Sequence, residues 1–410
     1  MSKLNDQILQ NCGDNKTNFR RVCFALTCTF IVYSMLLVTV PVHAINLGAT
    51  PLILGIVFST PFLLPLFLAI PLGGLVRRFG GRASLVCGAI AMTLAVTCML
   101  LVEGYAGLIL GQLLFGLAQL QMVLSAQTII SELGAGPKLE RYFGWYTTWL
   151  SGGQIVGPLL AGALIHKGGT TSDSFFAMLV IGLCSLAGAM GLGGRAREGR
   201  RTDWRSIGFK AQGNLFATNS GVQLSIAVTG AATLAMIIHG NYLPVFLEDL
   251  AVPATTIGLL VSLRAVAAMA IRPFMAGAIA LVGGRSTAVL GSVVLLAAGL
   301  MFLGGTDNLL LIALFAVMVG IGSGVCQPLS MVILAEHVDA TRRLGALGMR
   351  LMANRGMNFL APLLFGVVLE LSGFGASFAL AGGVLCGCLF LVWRLFRRPA
   401  LSGSQKKAGE

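Results

Sequence analysis

Long apolar runs, separated by short polar segments, recur along the whole chain. Each run holds about 20 residues or more, which is enough for a helix to cross a hydrocarbon core about 30 Å thick. The pattern therefore predicts an all-α membrane protein. Its twelve predicted transmembrane spans are residues 22–44, 51–76, 83–102, 106–132, 143–165, 174–194, 219–245, 254–281, 286–304, 309–335, 345–371 and 374–396.

Composition agrees with this pattern, since 56% of the residues are hydrophobic and only 10% are charged. Soluble domains carry about 25% charged residues, so this chain is excluded from that class. The nine cysteines lie mostly inside apolar spans, without a CxxC pair or histidines at metal-ligand spacing. We interpret them as small packing residues and predict no metal site and no cofactor.

The basic residues are distributed unevenly between the loops. With a cytoplasmic N-terminus, 23 of the 28 Lys and Arg residues fall in cytoplasmic segments, and only Lys167 is clearly on the other side. Such asymmetry is the positive-inside rule, which places both termini in the cytoplasm. The net charge of +13 thus reports topology and does not indicate a nucleic-acid partner. We predict a multi-pass protein of the inner (cytoplasmic) membrane.

The chain divides into two similar halves. A charged interruption, residues 193–214, separates six spans from six, and an offset of 203 to 204 residues matches Gly55 with Gly258 and Pro158 with Pro362. An ordered match of this kind indicates a duplicated unit. The predicted organisation is an N-terminal tail (1–21), a six-helix bundle (22–194), a linker (195–218), a second bundle (219–396) and a C-terminal tail (397–410).

The fifth span carries small residues at defined spacing. Its pattern, Gly144-x8-Gly153-x3-Gly157-Pro158-x2-Ala161-Gly162, resembles the fifth-helix signature of the major facilitator superfamily, with Ala161 in place of one Gly. Within that superfamily the signature is associated with efflux antiporters. The resemblance implies two six-helix bundles related by pseudo-two-fold symmetry, and a helix pair that seals one side of a central cavity and moves during alternating access.

The spacing of these residues also has a physical reading. Gly153, Gly157 and Ala161 recur every four residues, a small-xxx-small stripe that lets a neighbouring helix approach backbone to backbone. Pro158 removes a helical hydrogen-bond donor and favours a bend. Gly144, two and a half turns before Gly153, thins the opposite face.

The loop after the second span departs from the family pattern. Residues 73–82, GGLVRRFGGR, resemble the superfamily loop signature G-x-L-a-D-r-x-G-r-r at Gly73, Gly80 and Arg82, but Arg77 occupies the Asp position. The usual charge contact of that Asp is therefore not expected. Efflux relatives often carry an Arg early in the fourth helix, where this chain has Gln112.

Four arginines lie inside the predicted spans, and an intramembrane charge indicates a functional site by default. Arg264 and Arg355 each lie ten residues from the start of a span, about 15 Å deep and near the midplane. Arg272 and Arg350 lie closer to the cytoplasmic face, where they can snorkel or contact loop carbonyls. All Asp, Glu and His residues fall in loops, tails or towards helix ends.

Uncharged polar side chains complete the candidate substrate site. They lie at similar depth to the two midplane arginines, or on helices that line the cavity in this family: Tyr33, Gln154, Asn354, Asn358, Gln121 and Gln327. An amide in a membrane helix can instead bridge two helices, so both interpretations stay open for each.

Two guanidinium groups without a nearby carboxylate favour an anionic ligand, because the planar fork binds carboxylate or phosphate with two hydrogen bonds. The sequence therefore predicts a secondary transporter of a small anionic organic solute, working by efflux. An importer of such an anion, or a transporter-like receptor or assembly factor, is the alternative. We find no catalytic signature and predict no enzyme, no ATPase subunit and a monomer in the lipid bilayer.

Overall fold

The computed structural model of the protein describes residues 2–133, 137–166, 170–192, 216, 219–338 and 343–397. All regular structure within these residues is helical. The first half contains α1 (Ser2–Asn46), α2 (Pro51–Phe79), α3 (Gly81–Leu101), α4 (Gly104–Glu132), α5 (Pro137–His166) and α6 (Thr171–Met190). The second half contains α7 (Ser220–Asp249), α8 (Ala254–Ile271), α9 (Met275–Leu281), α10 (Arg285–Met301), α11 (Leu309–His337) and α12 (Arg343–Phe396), with short 3₁₀ turns at Arg272–Phe274 and Leu303–Gly305.

Eleven of the described helical segments are long and apolar enough to cross a membrane, which confirms a multi-pass membrane protein. The number of segments is eleven because the last one, Met349–Phe396, contains two of the predicted spans. The predicted spans 345–371 and 374–396 are two helical runs of α12 that meet at a kink at Gly373, which has φ 73° and ψ 176°. Glycine adopts such a positive φ without strain, so the backbone changes direction there without a polar loop. Twelve crossings, and the cytoplasmic position of the termini, stay predictions.

Side chains that satisfy free backbone groups fix several helix ends. Thr170 and Asp173 form a capping box at the start of α6, in which Asp173 accepts from the Thr170 N–H at 2.6 Å. At the other end of α6, Arg21 donates to the carbonyl oxygen of Gly191, and Arg82 donates to that of Met190 at 3.3 Å. Cationic side chains at a helix C-terminus also complement the helix dipole.

The described residues group into two compact units. One unit contains 1–47, 60–202 and 253–258, and the other contains 48–59, 203–252 and 259–410. The start of α2 therefore groups with helices of the second half, and the start of α8 groups with helices of the first half. Most of the predicted linker, 195–218, lies outside the described residues, so the predicted domain bounds stay predictions.

Glycines allow close helix contacts within the first unit. A Cβ built on Gly153 would lie 2.8 Å from the Thr27 carbonyl oxygen, and one on Gly157 would lie 2.6 Å from that of Ile31. Because real side chains do not approach backbone this closely, α5 packs on α1 only with glycine at these two positions. Ala161, the third member of the stripe, is fully buried.

The second unit is built around α7, which is buried along most of its length. Its Tyr242 hydroxyl donates to the Pro362 carbonyl oxygen of α12 at 2.5 Å. The Tyr242 ring packs edge-on against Phe58 and tilted against Phe365, with centroid distances of 5.2 and 4.4 Å. A buried tyrosine thus combines aromatic packing with a satisfied hydroxyl.

Candidate functional site

Arg264 lies in the middle of α8 and is only 6% exposed. The helix is held close to α11 there, since a Cβ on Gly320 would lie 2.5 Å from the Arg264 carbonyl oxygen. Ten residues separate Arg264 from Ala254, so its Cα lies about 15 Å along α8. A permanently charged group at this depth is expensive and marks a candidate ligand site.

Arg355 lies on α12 beside a small network of amides. The Thr233 hydroxyl of α7 donates to Asn354 Oδ1 at 2.9 Å, and Asn358 Nδ2 donates to the same oxygen at 3.2 Å. The two predicted amides thus meet at one acceptor that bridges α7 and α12. This hydrogen-bonded bridge fixes the rotation of α12 about its axis. It therefore also fixes the direction in which the Arg355 side chain leaves the helix.

The other two intramembrane arginines do not behave alike. Arg350 donates from Nε to Thr229 Oγ1 at 2.8 Å and from an Nη to Ser330 Oγ at 2.9 Å. The expectation that Arg350 snorkels or contacts loop carbonyls is therefore wrong, because two helical hydroxyls within the bundle supply its acceptors. Arg272 opens the 3₁₀ turn after α8 and is half-buried.

Two predicted glutamines bridge neighbouring helices. Gln121 Nε2 donates to the Ser84 carbonyl oxygen of α3 at 3.1 Å. Gln327 Nε2 contacts the Met236 sulfur of α7 at 3.2 Å. Of the two interpretations left open for these amides, helix bridging agrees with the contacts, since each donor group is directed at an adjacent helix.

Tyr33 and Gln154 lie on α1 and α5 and are both half-buried. The Tyr33 ring stacks on Phe115 with a centroid distance of 6.4 Å and meets Phe30 edge-on at 6.1 Å. Tyr33 is thus part of an aromatic group within the first unit, and Gln112, which replaces the Arg of efflux relatives, is buried on the same helix as Phe115.

The glycines predicted for gating make a second close contact. A Cβ on Gly162 would meet the backbone at Ala254, the first residue of α8, and one on Gly258 would meet the Pro158 carbonyl oxygen. The sequence offset pairs these residues with a similar contact, in which a Cβ on Gly55 of α2 would lie 2.9 Å from the Pro362 carbonyl oxygen of α12. Two pairs of helices that correspond in the sequence therefore approach each other through glycine and proline.

The loop signature, residues 73–82, covers the end of α2 and the start of α3. Gly80 has a φ of 84° and precedes the first residue of α3, while a Cβ on Gly73 would meet nothing within 4 Å. Arg82 contacts the end of α6 as described above. The side chain of Arg77, and the packing of Gly144 in α5, lie outside what the structure describes.

One buried polar residue differs from expectation. The sequence places His239 towards a helix end, but α7 continues to Asp249, and His239 is fully buried. Neither ring nitrogen has a hydrogen-bond partner among the described residues. The predicted span ended at residue 245, too early to show this depth.

The electrostatic balance of the apolar spans is basic. Within the eleven described spans, each acidic residue lies within three residues of a span end or of Gly373: Glu132, Asp173, Glu248, Asp249 and Glu370. Among the described residues, no group of three or more His, Cys, Asp or Glu is arranged to hold a metal ion. The second unit therefore carries a buried arginine, Arg264, and a half-buried one, Arg355, in spans whose carboxylates lie elsewhere.

The family of the protein follows from its similarity to known proteins. The sequence matches the family described as Major Facilitator Superfamily over residues 22–238 and 224–410. Among curated proteins, none matches the sequence.

Solved transporters share the architecture at low identity. The structure is similar to the nucleoside transporter NupG (TM-score 0.77, 13% identity, 93% of this chain and 99% of that one). It is also similar to a bacterial homologue of the human lysosomal transporter Spinster in an inward-facing, unoccupied conformation (0.72, 14%, 93% and 96%). A third similar structure is a POT family transporter in complex with 5-aminolevulinic acid (0.75, 12%, 92% and 95%). From the family match and the eleven apolar helices, we conclude that the chain belongs to the major facilitator superfamily of membrane transporters.

Proposed function

We propose that the protein is a secondary transporter that exports a small organic anion across the cytoplasmic membrane by alternating access. The observation that carries this proposal is the pair of arginines, Arg264 and Arg355, at midplane depth in spans that have no carboxylate at that depth. A guanidinium group at this depth is suited to binding an anion that arrives and leaves.

Guanidinium chemistry defines the cargo class. Arginine stays charged and presents a planar fork that matches carboxylate and phosphate groups. Asn354 and Asn358 lie beside Arg355, and the hydrogen bonds that Asn354 accepts from Thr233 and Asn358 restrict how the site can adjust. We therefore propose a small solute with one or two anionic groups as cargo. The POT family structure mentioned above holds 5-aminolevulinic acid, a molecule that carries a carboxylate.

Export is proposed from the fifth helix, whose pattern resembles that of efflux antiporters. The electrical gradient supports this direction, because each negative charge that leaves a negative interior gains about 2.3 kcal/mol per 100 mV. Import of an anion would use the same two arginines and is the main alternative. A transporter-like receptor or assembly factor is a further alternative, suggested by Arg77 at the usual Asp position of the loop.

The proposal also covers the oligomeric state and the partners of the protein. We propose that it acts as a monomer in the bilayer, with a small-molecule substrate and without an ATPase subunit. The Arg residues bind and orient the cargo, and neither covalent chemistry nor a cofactor is involved.

The test is an untargeted metabolite comparison of cells and medium. Three strains are compared: a deletion, the wild type, and an Arg264→Gln/Arg355→Gln double variant, with Arg350→Gln as a matched control for loss of a buried arginine. Export predicts an anionic compound that is retained in deletion and double-variant cells and depleted from their medium. The same compound left unused in the medium would mean import, and no difference between the strains would contradict transport.

A further inference from the structure

The second helical run of α12, after the kink, has one buried face and one exposed face. Phe378, Leu385 and Val392 are buried and recur every seven residues on the side that packs within the second unit. Gly382 also faces inward, since a Cβ built there would meet Met301 of α10. At about 100° per residue, the opposite side carries exposed apolar side chains, namely Leu380, Val384, Phe390 and Leu391. In a membrane span, such a face contacts lipid.

Aromatic and basic side chains end this exposed face. Trp393, Arg394 and Arg397 are exposed, and they follow Phe390 at helical spacings of three, four and seven residues. The Arg397 guanidinium lies over the Trp393 ring, with 3.9 Å between Cζ and the ring centroid. The Phe390 ring contacts the Trp393 ring at a centroid distance of 5.8 Å. These four residues, the basic-aromatic cluster, change the surface from apolar to aromatic to basic along the helix axis.

This order matches the layers of a bilayer at the end of a span. The apolar segment of α12 ends at Phe396, so Arg394 and Arg397 lie at the level of the lipid headgroups. Tryptophan is enriched at this level because its ring is amphipathic. The depth of the cluster follows from the end of the span and does not depend on the side of the membrane.

The charge at the cluster is positive. In the part of the chain that the structure describes, neither arginine of the cluster has a carboxylate partner, because the ion pair found there joins Arg285 to Glu336. On α12 itself the nearest described carboxylate is Glu370, which lies before the kink and a full span away. The cluster is therefore complementary to a negatively charged group at headgroup level.

We propose that the basic-aromatic cluster binds an anionic phospholipid, with the phosphate held by Arg394 and Arg397 and an acyl chain lying along the exposed face of α12. The edge of a guanidinium group presents N–H donors that match a phosphate group, while the flat face of Arg397 lies on Trp393. This stacking restricts the Arg397 side chain, so less conformational entropy is lost when the phosphate binds. The inference is independent of the cargo and of the direction of transport.

A second copy of the chain is the competing occupant of this face. Gly383 and Gly387 are exposed and four residues apart, and a Cβ on either would meet nothing within 4 Å. Helices that dimerise often have small residues at this spacing. In a two-fold dimer through this face, however, the arginines of the two clusters would approach each other and repel. The charge therefore favours a lipid with a negative headgroup.

The test counts the lipids that the full-length protein retains in native mass spectrometry. Protein in a non-ionic detergent receives equal amounts of phosphatidylglycerol and phosphatidylcholine with the same acyl chains, so that only the headgroup differs. An arginine near an anionic lipid typically strengthens binding about fivefold. We therefore expect the wild type to retain phosphatidylglycerol with at least about fivefold preference, and Arg394→Gln/Arg397→Gln to lose this preference.

Two further variants show whether the position of the charge matters. Arg20→Gln/Arg78→Gln removes the same charge from exposed positions on α1 and α2 and should keep the preference. Trp393→Leu keeps both arginines but removes the ring under Arg397, so the preference should fall about two- to fivefold. Equal retention of the two lipids by the wild type would overturn the proposal. An equal loss of preference in Arg20→Gln/Arg78→Gln would overturn it too, because it would show a general effect of charge.

The same measurement separates the lipid from other occupants. Glycerol 3-phosphate, a soluble phosphate ester, should not displace the retained phosphatidylglycerol, because it has no acyl chain to lie along α12. Displacement would show a site for free phosphate esters and would contradict the lipid assignment. A wild-type dimer that Gly387→Leu abolishes would instead show that this face is an interface between copies, and would also overturn the proposal.

Discussion

Arg350 and Arg355 show how one residue type can have two different roles on one helix. Arg350 bonds Thr229 and Ser330, so its charge is engaged in holding α7, α11 and α12 together. Arg355 lies just beyond the Asn354 bridge, in the proposed substrate site. Hydrogen bonds to charged groups typically contribute about 1.5–3 kcal/mol each.

The first prediction separates these roles. Arg350→Gln should lower the thermal unfolding temperature by several degrees through loss of its two hydrogen bonds, and the folded fraction should retain transport. Arg355→Gln should lose at least about tenfold in cargo affinity, since removal of a charged contact costs about 1.4 kcal/mol or more. Both are measured on purified protein by thermal unfolding and by cargo flux. The reverse assignment of stability and transport would contradict the account.

At the residue scale, the sequence could predict depth but not direction. Counting residues from a span end located Arg264 and Arg355, and it also located Gln121 and Gln327. Which way a side chain points depends on rotation about the helix axis, at about 100° per residue. Because the span ends are known only to within a few residues, the sequence does not determine this rotation. For this reason the bridging contacts of Gln121 and the burial of His239 could not be predicted.

Two glycines of helix α5 lie in different environments. Gly157 faces α1 so closely that a Cβ would lie 2.6 Å from both the Ile31 carbonyl oxygen and the Ser34 Cβ. Gly152, on the same helix, has open space at the same position. Both substitutions to alanine improve helix propensity equally, so a comparison of the two isolates the contact.

The second prediction follows from this pair. Gly157→Ala should destabilise the protein by about 1–3 kcal/mol, because overpacking forces α1 and α5 apart. Gly152→Ala should be neutral or slightly stabilising. Thermal unfolding and cargo flux are measured for both variants. Equal behaviour of the two would show that the α1–α5 approach is not required.

The start of α2 gives a third prediction. Glu370 accepts from the Leu52 N–H, one of the free donors in the first turn of α2. Glu370→Ala should increase hydrogen exchange at Leu52 and Ile53, since loss of a cap typically costs about 1 kcal/mol. Asp307→Asn, in the loop before α11, serves as the control and should leave this exchange unchanged. If Glu370→Ala also leaves exchange unchanged, the cap does not hold the helix end.

At the element scale, hydropathy predicted most helices well because each is separated from the next by polar residues. The predicted span 309–335 corresponds to α11, Leu309–His337, with one end in agreement and the other two residues short. Between the predicted spans 345–371 and 374–396 only residues 372 and 373 remain, and the kink between the two helical runs lies at Gly373. Only Gly373, a residue that tolerates positive φ, marks the break.

The whole molecule combines a common architecture with an uncommon charge distribution. The solved transporters are 12% to 14% identical to this chain, which shows only that they share its fold. The cargo depends on particular side chains, and a shared fold does not specify them. The sequence could predict the fold because apolar length and the fifth-helix pattern are shared properties. The arginines inside the spans of the second unit carry the functional proposal.

Counterflow in proteoliposomes tests the central claim most directly. Vesicles loaded with the anionic compound that the metabolite comparison identifies are diluted into its radiolabelled form, with wild type, Arg264→Gln/Arg355→Gln and Arg350→Gln side by side. We predict transient accumulation of label with the wild type and Arg350→Gln, and at least about tenfold less with the double variant. Equal accumulation with the double variant would show that the two midplane arginines do not bind the cargo, and would contradict the account.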